Sequence, residues 1–250
     1  MGRVVAATAV HFSPHPDDEV LGAPGALFAL RDAGWRIVNV ACSLGRPEQR
    51  ARRLRELEEA CRRARFELRI EDVEPARVLD ELQPGLVVAP SPHDRHPFHE
   101  EVARDVLTAV AAAGAPATVW LWSLWGESAL PSLALELTDK RLDEIEYALE
   151  AHEGELARTD FKRLLRAQAD AYGVIGAERI YDFGAPALPF PRAELLTEVA
   201  LDAGRWRLCE PRVLRAGEAN VERVAGPVDV TDWLFAPSVT SRFGSRRASS

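Results

Sequence analysis

The chain has 250 residues, 47% of them apolar and 28% charged, with 31 Lys and Arg against 39 Asp and Glu for a formal charge of −8. That composition belongs to a soluble globular protein of one large domain or two small ones, and it excludes a disordered or fibrous chain. The acidic balance argues against nucleic acid as the main partner, because phosphate binding rests on clustered Lys and Arg.

In chain order, short β-type runs alternate with longer helical ones. Strands are predicted over residues 4–12, 36–41, 67–71, 86–89 and 118–122, with helices near 21–32, 47–65, 74–82 and 99–113. The run at 86–89 is continuously apolar, as expected of a strand covered on both faces of a parallel sheet. The alternation predicts an α/β fold, a Rossmann-like and mostly parallel sheet flanked by helices. Residues 139–170 read as one or two long amphipathic helices with Leu142, Ile145, Leu149, Leu156, Phe161, Leu164 and Leu165 on the apolar side. The expected main unit is 1–184. Residues 185–250, rich in Pro and Gly, form a small C-terminal extension, either an appendage or extra strands on the same domain, with a frayed tail over 238–250.

Nine of the chain's Arg fall between Arg46 and Arg69, but five Glu share that stretch, so it reads as a solvated helix face and not as a nucleic-acid patch. Cys42, Cys61 and Cys209 are odd in number and form no CxxC pair, which points to a reducing compartment and a cytoplasmic location. The uncharged run 106–126 is long enough to cross a bilayer, yet Gly114 and Pro116 divide it into an Ala-rich helix and a strand, so no membrane span is expected. The N-terminus reads as neither a signal peptide nor a myristoylation site, since position 6 is Ala6.

In a parallel sheet, ligands sit beyond the carboxyl ends of the strands. The first strand runs into Ser13-Pro-His-Pro-Asp-Asp-Glu19 and the fourth into Pro90-Ser-Pro-His-Asp-Arg-His-Pro-Phe-His99. Four of the six histidines and three consecutive acids fall in these two segments, whereas His11 and His152 read as structural residues. Zinc is commonly bound by His nitrogen and carboxylate oxygen, with one position left open in catalytic sites. His15 and Asp18 are close enough to grip one ion from a single loop, and a third ligand from the later segment would complete the set.

Pro14-His-Pro-Asp-Asp-Glu19 together with His96-x-x-His99 resembles the signature of the PIG-L/LmbE-like family of zinc-dependent N-deacetylases, which act mostly on N-acetylglucosaminyl compounds. The similarity extends through Val20-Leu-Gly22, Gly25, Arg53-x-x-Glu56 and Ala60, and more weakly to about residue 184. The resemblance implies a hydrolase acting on a small N-acetylated sugar or conjugate, with one Zn2+ per chain held by His15, Asp18 and His99. It implies Asp17 as the general base that activates water at the zinc, and His96, if protonated, as the group facing the oxyanion. Arg53 matches a substrate-contacting position, with a solvated helix arginine as the alternative. Glu19 stands as a supporting or helix N-terminal residue. Trp120, Trp122 and Trp125 read mainly as core, with stacking on a sugar ring as the alternative.

Three positions depart from the family pattern. The usual HPDH reads His96-Pro-Phe-His99, so Phe98 replaces the acid expected to orient His96, a task that Asp94 is placed to take over. Cys42-Ser-Leu-Gly45 replaces a Thr-Asp-Gly-type segment, and His93 adds a nitrogen that competes with His96 for the oxyanion role. Two other readings therefore stay open. One is a hydrolase of another ester or phosphoester holding two ions on Asp17, Asp18 and Glu19. The other is a non-catalytic metal-binding or regulatory member of the family. A homo-oligomer is allowed, and the acceptor half of the substrate is unassigned.

Overall fold

In the computed structural model, which describes residues 7–114 and 118–237, β1 (Thr8–Ser13) lies between β2 (Arg36–Ala41) and β4 (Leu86–Pro90) and runs parallel to both. β3 (Glu67–Arg69) continues the parallel sheet beyond β2, and β5 (Thr118–Trp122) continues it beyond β4. The strand order of this block is β3-β2-β1-β4-β5. Alternate side chains enter two core layers, as the period of a strand dictates. Ala9, Ile37, Val88 and Trp120 pack with α2 (Pro24–Asp32) and α3 (Arg50–Ala64), while Val10, Val38, Val87 and Val119 pack with α4 (Pro75–Leu82) and α5 (Pro97–Ala113). The uncharged run 106–126 divides between α5 and β5, and among the described residues no helix is long and apolar enough to cross a membrane.

The helix expected over 21–32 is broken in two, α1 (Asp18–Leu21) and α2. Gly22 sits at the break because a Cβ there would lie 2.6 Å from the Trp122 indole, and Pro24 opens α2 at a position where its missing N–H costs nothing. The start of α2 is capped from far away in the chain. Gly25 and Ala26 donate their N–H groups to the two carboxylate oxygens of Glu194 at 2.9 and 2.8 Å. The region expected as one or two helices contains α6 (Asp139–Leu149), α7 (Glu153–Leu156) and α8 (Phe161–Tyr181), with the Thr138 hydroxyl and the Asp160 carboxylate capping the first and last.

Residues beyond 185 add strands to the same sheet. β7 (Ala193–Asp202) pairs antiparallel with β5, followed by β8 (Arg205–Cys209) and β10 (Ala225–Asp229) at the edge. β6 (Leu133–Glu136) and β9 (Arg212–Leu214) form a side branch on β7, and α9 (Thr231–Leu234) packs beside β8. The join between the two halves is polar as well as apolar. Trp120 Nε1 donates to the buried Glu198 at 2.8 Å, and Arg212 donates to both oxygens of the same carboxylate. The tail expected over 238–250 lies outside the described residues.

Burial pushes the Glu194 carboxyl up to about 7, against the pull of the two N–H donors. A folded-state value above the unfolded one means that the folded protein holds the proton longer, so stability linked to Glu194 falls as pH rises from about 4.5 to about 7. In urea denaturation, Glu194→Gln is expected to lack that decline. Glu194→Ala orphans two buried N–H groups and is expected to lose about 1–3 kcal/mol.

Candidate active site

β1 and β4 are parallel neighbours whose following chains depart to opposite sides of the sheet, so a crevice opens between the two loops beyond their carboxyl ends. The first loop is locked from within. Asp18 Oδ2 accepts the His15 N–H at 2.8 Å, and the Ser13 hydroxyl donates to the His15 carbonyl at 2.7 Å. Asp17 adopts a φ of 112°, in the left-handed region, where a residue with a side chain is strained by roughly 1–3 kcal/mol.

A buried brace keeps Asp17 there. Its N–H donates to Glu19 Oε2 at 2.9 Å, and Arg53 Nη2 donates to the carbonyl of the preceding Pro16 at 3.1 Å. The other Glu19 oxygen lies 2.5 Å from His152 Nε2, with both side chains fully buried. A carboxylate only accepts, so Nε2 carries the hydrogen. Glu19 is thus engaged behind the loop, and the three consecutive acids do not converge on one point as a two-ion site needs. His152 is structural, as expected, but what it supports is the conformation of Asp17. His11 is also structural, facing Asn39 Oδ1 at 2.8 Å.

The second loop brings His96 to the N-cap of α5 and His99 into its first turn. His99 Nδ1 lies 2.7 Å from Asp94 Oδ2, which leaves Nε2 as the ring nitrogen facing the crevice. That Nε2 is 3.1 Å from His15 Nδ1, and Asp18 Oδ2 is 3.5 Å from each of the two nitrogens. Tetrahedral zinc, with bonds of about 2.0–2.1 Å, keeps its ligand atoms roughly 3.3 Å apart. The three atoms therefore fit such an ion. His96 stands beside them, since ligand atoms of His15, His96 and His99 lie within 4.8 Å of one another.

Asp94 does not serve His96. Its Oδ2 faces His99, and its Oδ1 accepts from the N–H groups of Leu124, Trp125 and Gly126 at 2.6, 3.0 and 3.3 Å. Nor does His93 reach the crevice: its Nε2 donates to the Trp233 carbonyl at 2.7 Å and its ring packs on the Trp233 indole. Phe98 lies edge-on to His15 at 5.4 Å, and His96 Nδ1 is buried without a partner. The tryptophans divide between roles, with Trp120 and Trp122 fully buried and Trp125 half exposed at the rim.

The charges follow from this packing. Burial and the neighbouring Asp18 and Glu19 hold the Asp17 carboxyl well above the usual carboxylate range, with Arg53 pulling the other way. Burial would raise Asp18 as well, but His99 and His15 outweigh it and lower that carboxyl. Burial together with His99 and His15 pushes His96 down to about 4.

These groups form the floor of a pocket of about 580 Å³. Its outer wall holds Arg46, Arg52, Arg53, Glu155 and Arg158. Of these only Arg53 stands out in the sequence. Glu155 and Arg158 carry no local signal, because they join the site through the packing of a segment about 100 residues away.

Residues 10–110 match the family profile described as PIG-L: GlcNAc-PI de-N-acetylase. Comparison with curated proteins finds no match. Among solved structures, the chain is similar to a conserved protein of Thermus thermophilus, with 23% identity, TM-score 0.58, and 77% of this chain covered against 94% of that one. It is similar to the N,N'-diacetylchitobiose deacetylase of Pyrococcus horikoshii, with 20% identity, TM-score 0.58, and coverage of 77% and 84%. It is also similar to the 4-carboxy-2-hydroxymuconate hydratase of Pseudomonas putida, with 18% identity, TM-score 0.59, and coverage of 79% and 98%. At these identities the likeness establishes the fold, and a fold shared by a deacetylase and a hydratase does not choose the reaction.

Asp94→Ala frees the His99 ring and three loop N–H groups together. A zinc ion held by this cluster would bind about 10–100-fold more weakly in that variant, measured by competition with a chromogenic chelator.

Proposed function

We propose, from the match of residues 10–110 to the PIG-L family profile, that this protein is a zinc-dependent hydrolase that removes an N-acetyl or related acyl group from an amino sugar or sugar conjugate. The observation that carries the reading is the meeting of His15, Asp18 and His99 at 3.1 to 3.5 Å, with a second carboxylate, Asp17, held beside them in a strained conformation. His15, Asp18 and His99 would hold one Zn2+. Bound there, zinc would acidify water and polarise the amide carbonyl.

The side chains of this protein would handle the protons. Asp17 takes a proton from the attacking water, and a carboxyl whose affinity for protons is raised by burial keeps it for the next step. As the water oxygen bonds to the acyl carbon, negative charge grows on the carbonyl oxygen. His96, neutral and at the rim of the cluster, faces that charge with one N–H. The carbon–nitrogen bond then breaks as Asp17 returns its proton to the departing amine, giving a carboxylic acid and a free amine. Arg53, on the outer wall, reaches the Pro16 carbonyl beside Asp17, and from there its guanidinium would contact substrate oxygens.

Asp17→Asn keeps the size of the side chain and removes the base. It is expected to lower acetate release from N-acetylated amino sugars by about 10²–10⁴-fold, while elemental analysis still finds one zinc per chain. His15→Ala is expected to lose zinc and activity together. Full activity in Asp17→Asn would sink the assignment of the base.

A further inference from the structure

The arginines of the outer wall take no part in the proton transfers above, yet they are the pocket's largest concentration of charge. Arg46 precedes α3, Arg52 and Arg53 lie in its first turn, and Arg158 follows α7. Their acidic partners are few. Arg52 pairs with Glu56 at 2.6 Å, and Glu155 is shared by Arg52, Arg53 and Arg158 at 3.9, 3.4 and 2.8 Å. Among the described residues Arg46 has no carboxylate partner. Four guanidiniums thus share two carboxylates at one wall of a protein whose net charge is −8.

The backbone makes room for them. A Cβ on Gly154 would fall 1.5 Å from Arg52 Nη1, and one on Gly45, whose φ is +77°, would fall 2.6 Å from Arg53 Nη1. Gln49, on the same wall, is the N-cap of the fifteen-residue α3 but caps it with no side-chain hydrogen bond, and the first turn holds no acid. The positive end of that helix adds to the field of the arginines. Arg53 Nε, moreover, is buried without a hydrogen-bond partner. Guanidiniums in excess, backed by glycine and by a helix N-terminus, are the chemistry that binds oxyanions in bidentate fashion.

We propose that the outer wall is an oxyanion subsite, so that the amine half of the substrate carries a carboxylate or phosphate gripped by Arg46, Arg52 and Arg158. The inference rests on the hydrolase reading above, which puts the departing amine at Asp17 and therefore on the side of Arg53. The metal end of the pocket recognises the amide, and the arginine end selects which amide enters.

Three substrates test it on the zinc-loaded protein: methyl N-acetylglucosaminide, N-acetylglucosamine 1-phosphate, and an N-acetylglucosaminide bearing a carboxylate on its aglycone. The expected result is a kcat/KM about tenfold or more higher for at least one anionic compound than for the neutral one, in line with a charge-assisted hydrogen bond. The larger ratio identifies the oxyanion. Arg46→Ala and Arg158→Ala should each lower that ratio several-fold, and Arg46→Lys should restore part of it. Ratios within twofold of one, or ratios that the variants leave unchanged, overturn the proposal. If none of the amides turns over, the hydrolase reading falls, and calorimetry of the same three compounds on metal-free protein decides the subsite alone. Arginine-dependent preference for the anion supports it, and equal affinities overturn it.

Discussion

One fully buried carboxylate, Asp94, holds three parts of the fold at a single point. It leaves the end of β4, turns one oxygen to His99 in the first turn of α5, and gives the other to three successive N–H groups in the loop after β5. A charge so far from water is tolerated only when its lone pairs are filled, and here they are filled by four donors. The position of His99, the orientation of its ring and the rim that carries Trp125 are therefore one decision and not three.

The neighbouring acids show how position alone divides labour among chemically similar groups. Asp18 faces two histidines and favours its charge, Asp17 is buried near other acids and favours its proton, and Glu19 turns away to His152. The left-handed backbone at Asp17 separates the first two, because it points consecutive side chains in different directions. Strain at that residue is balanced by the hydrogen bonds of Glu19 and Arg53.

The parallel strands and both post-strand segments are legible in the sequence, because continuous apolar runs and clusters of Pro, His and Asp are local signals. The partner of His99 is not. Asp94 lies two residues before His96 in the chain, but His96 caps α5 in an extended conformation, and the turn that follows swings His99 back to Asp94. The break at Gly22 is likewise hidden, since helical periodicity runs across it and only the Trp122 ring demands a residue without a side chain. Glu155 reaches Arg53, and Glu194 the start of α2, by long-range packing, and no spacing in one sequence encodes that.

The cap that Glu194 places on α2 bears on the order in which the molecule can be made. His15, Asp18 and His99 all lie within residues 10–110, yet α2 lacks two of its hydrogen-bond acceptors until β7 exists. A chain growing on the ribosome presents these three residues first and can complete their support only after residue 194 has emerged. β7 is in this sense a clasp, and the support of the crevice is complete only once that strand has been made.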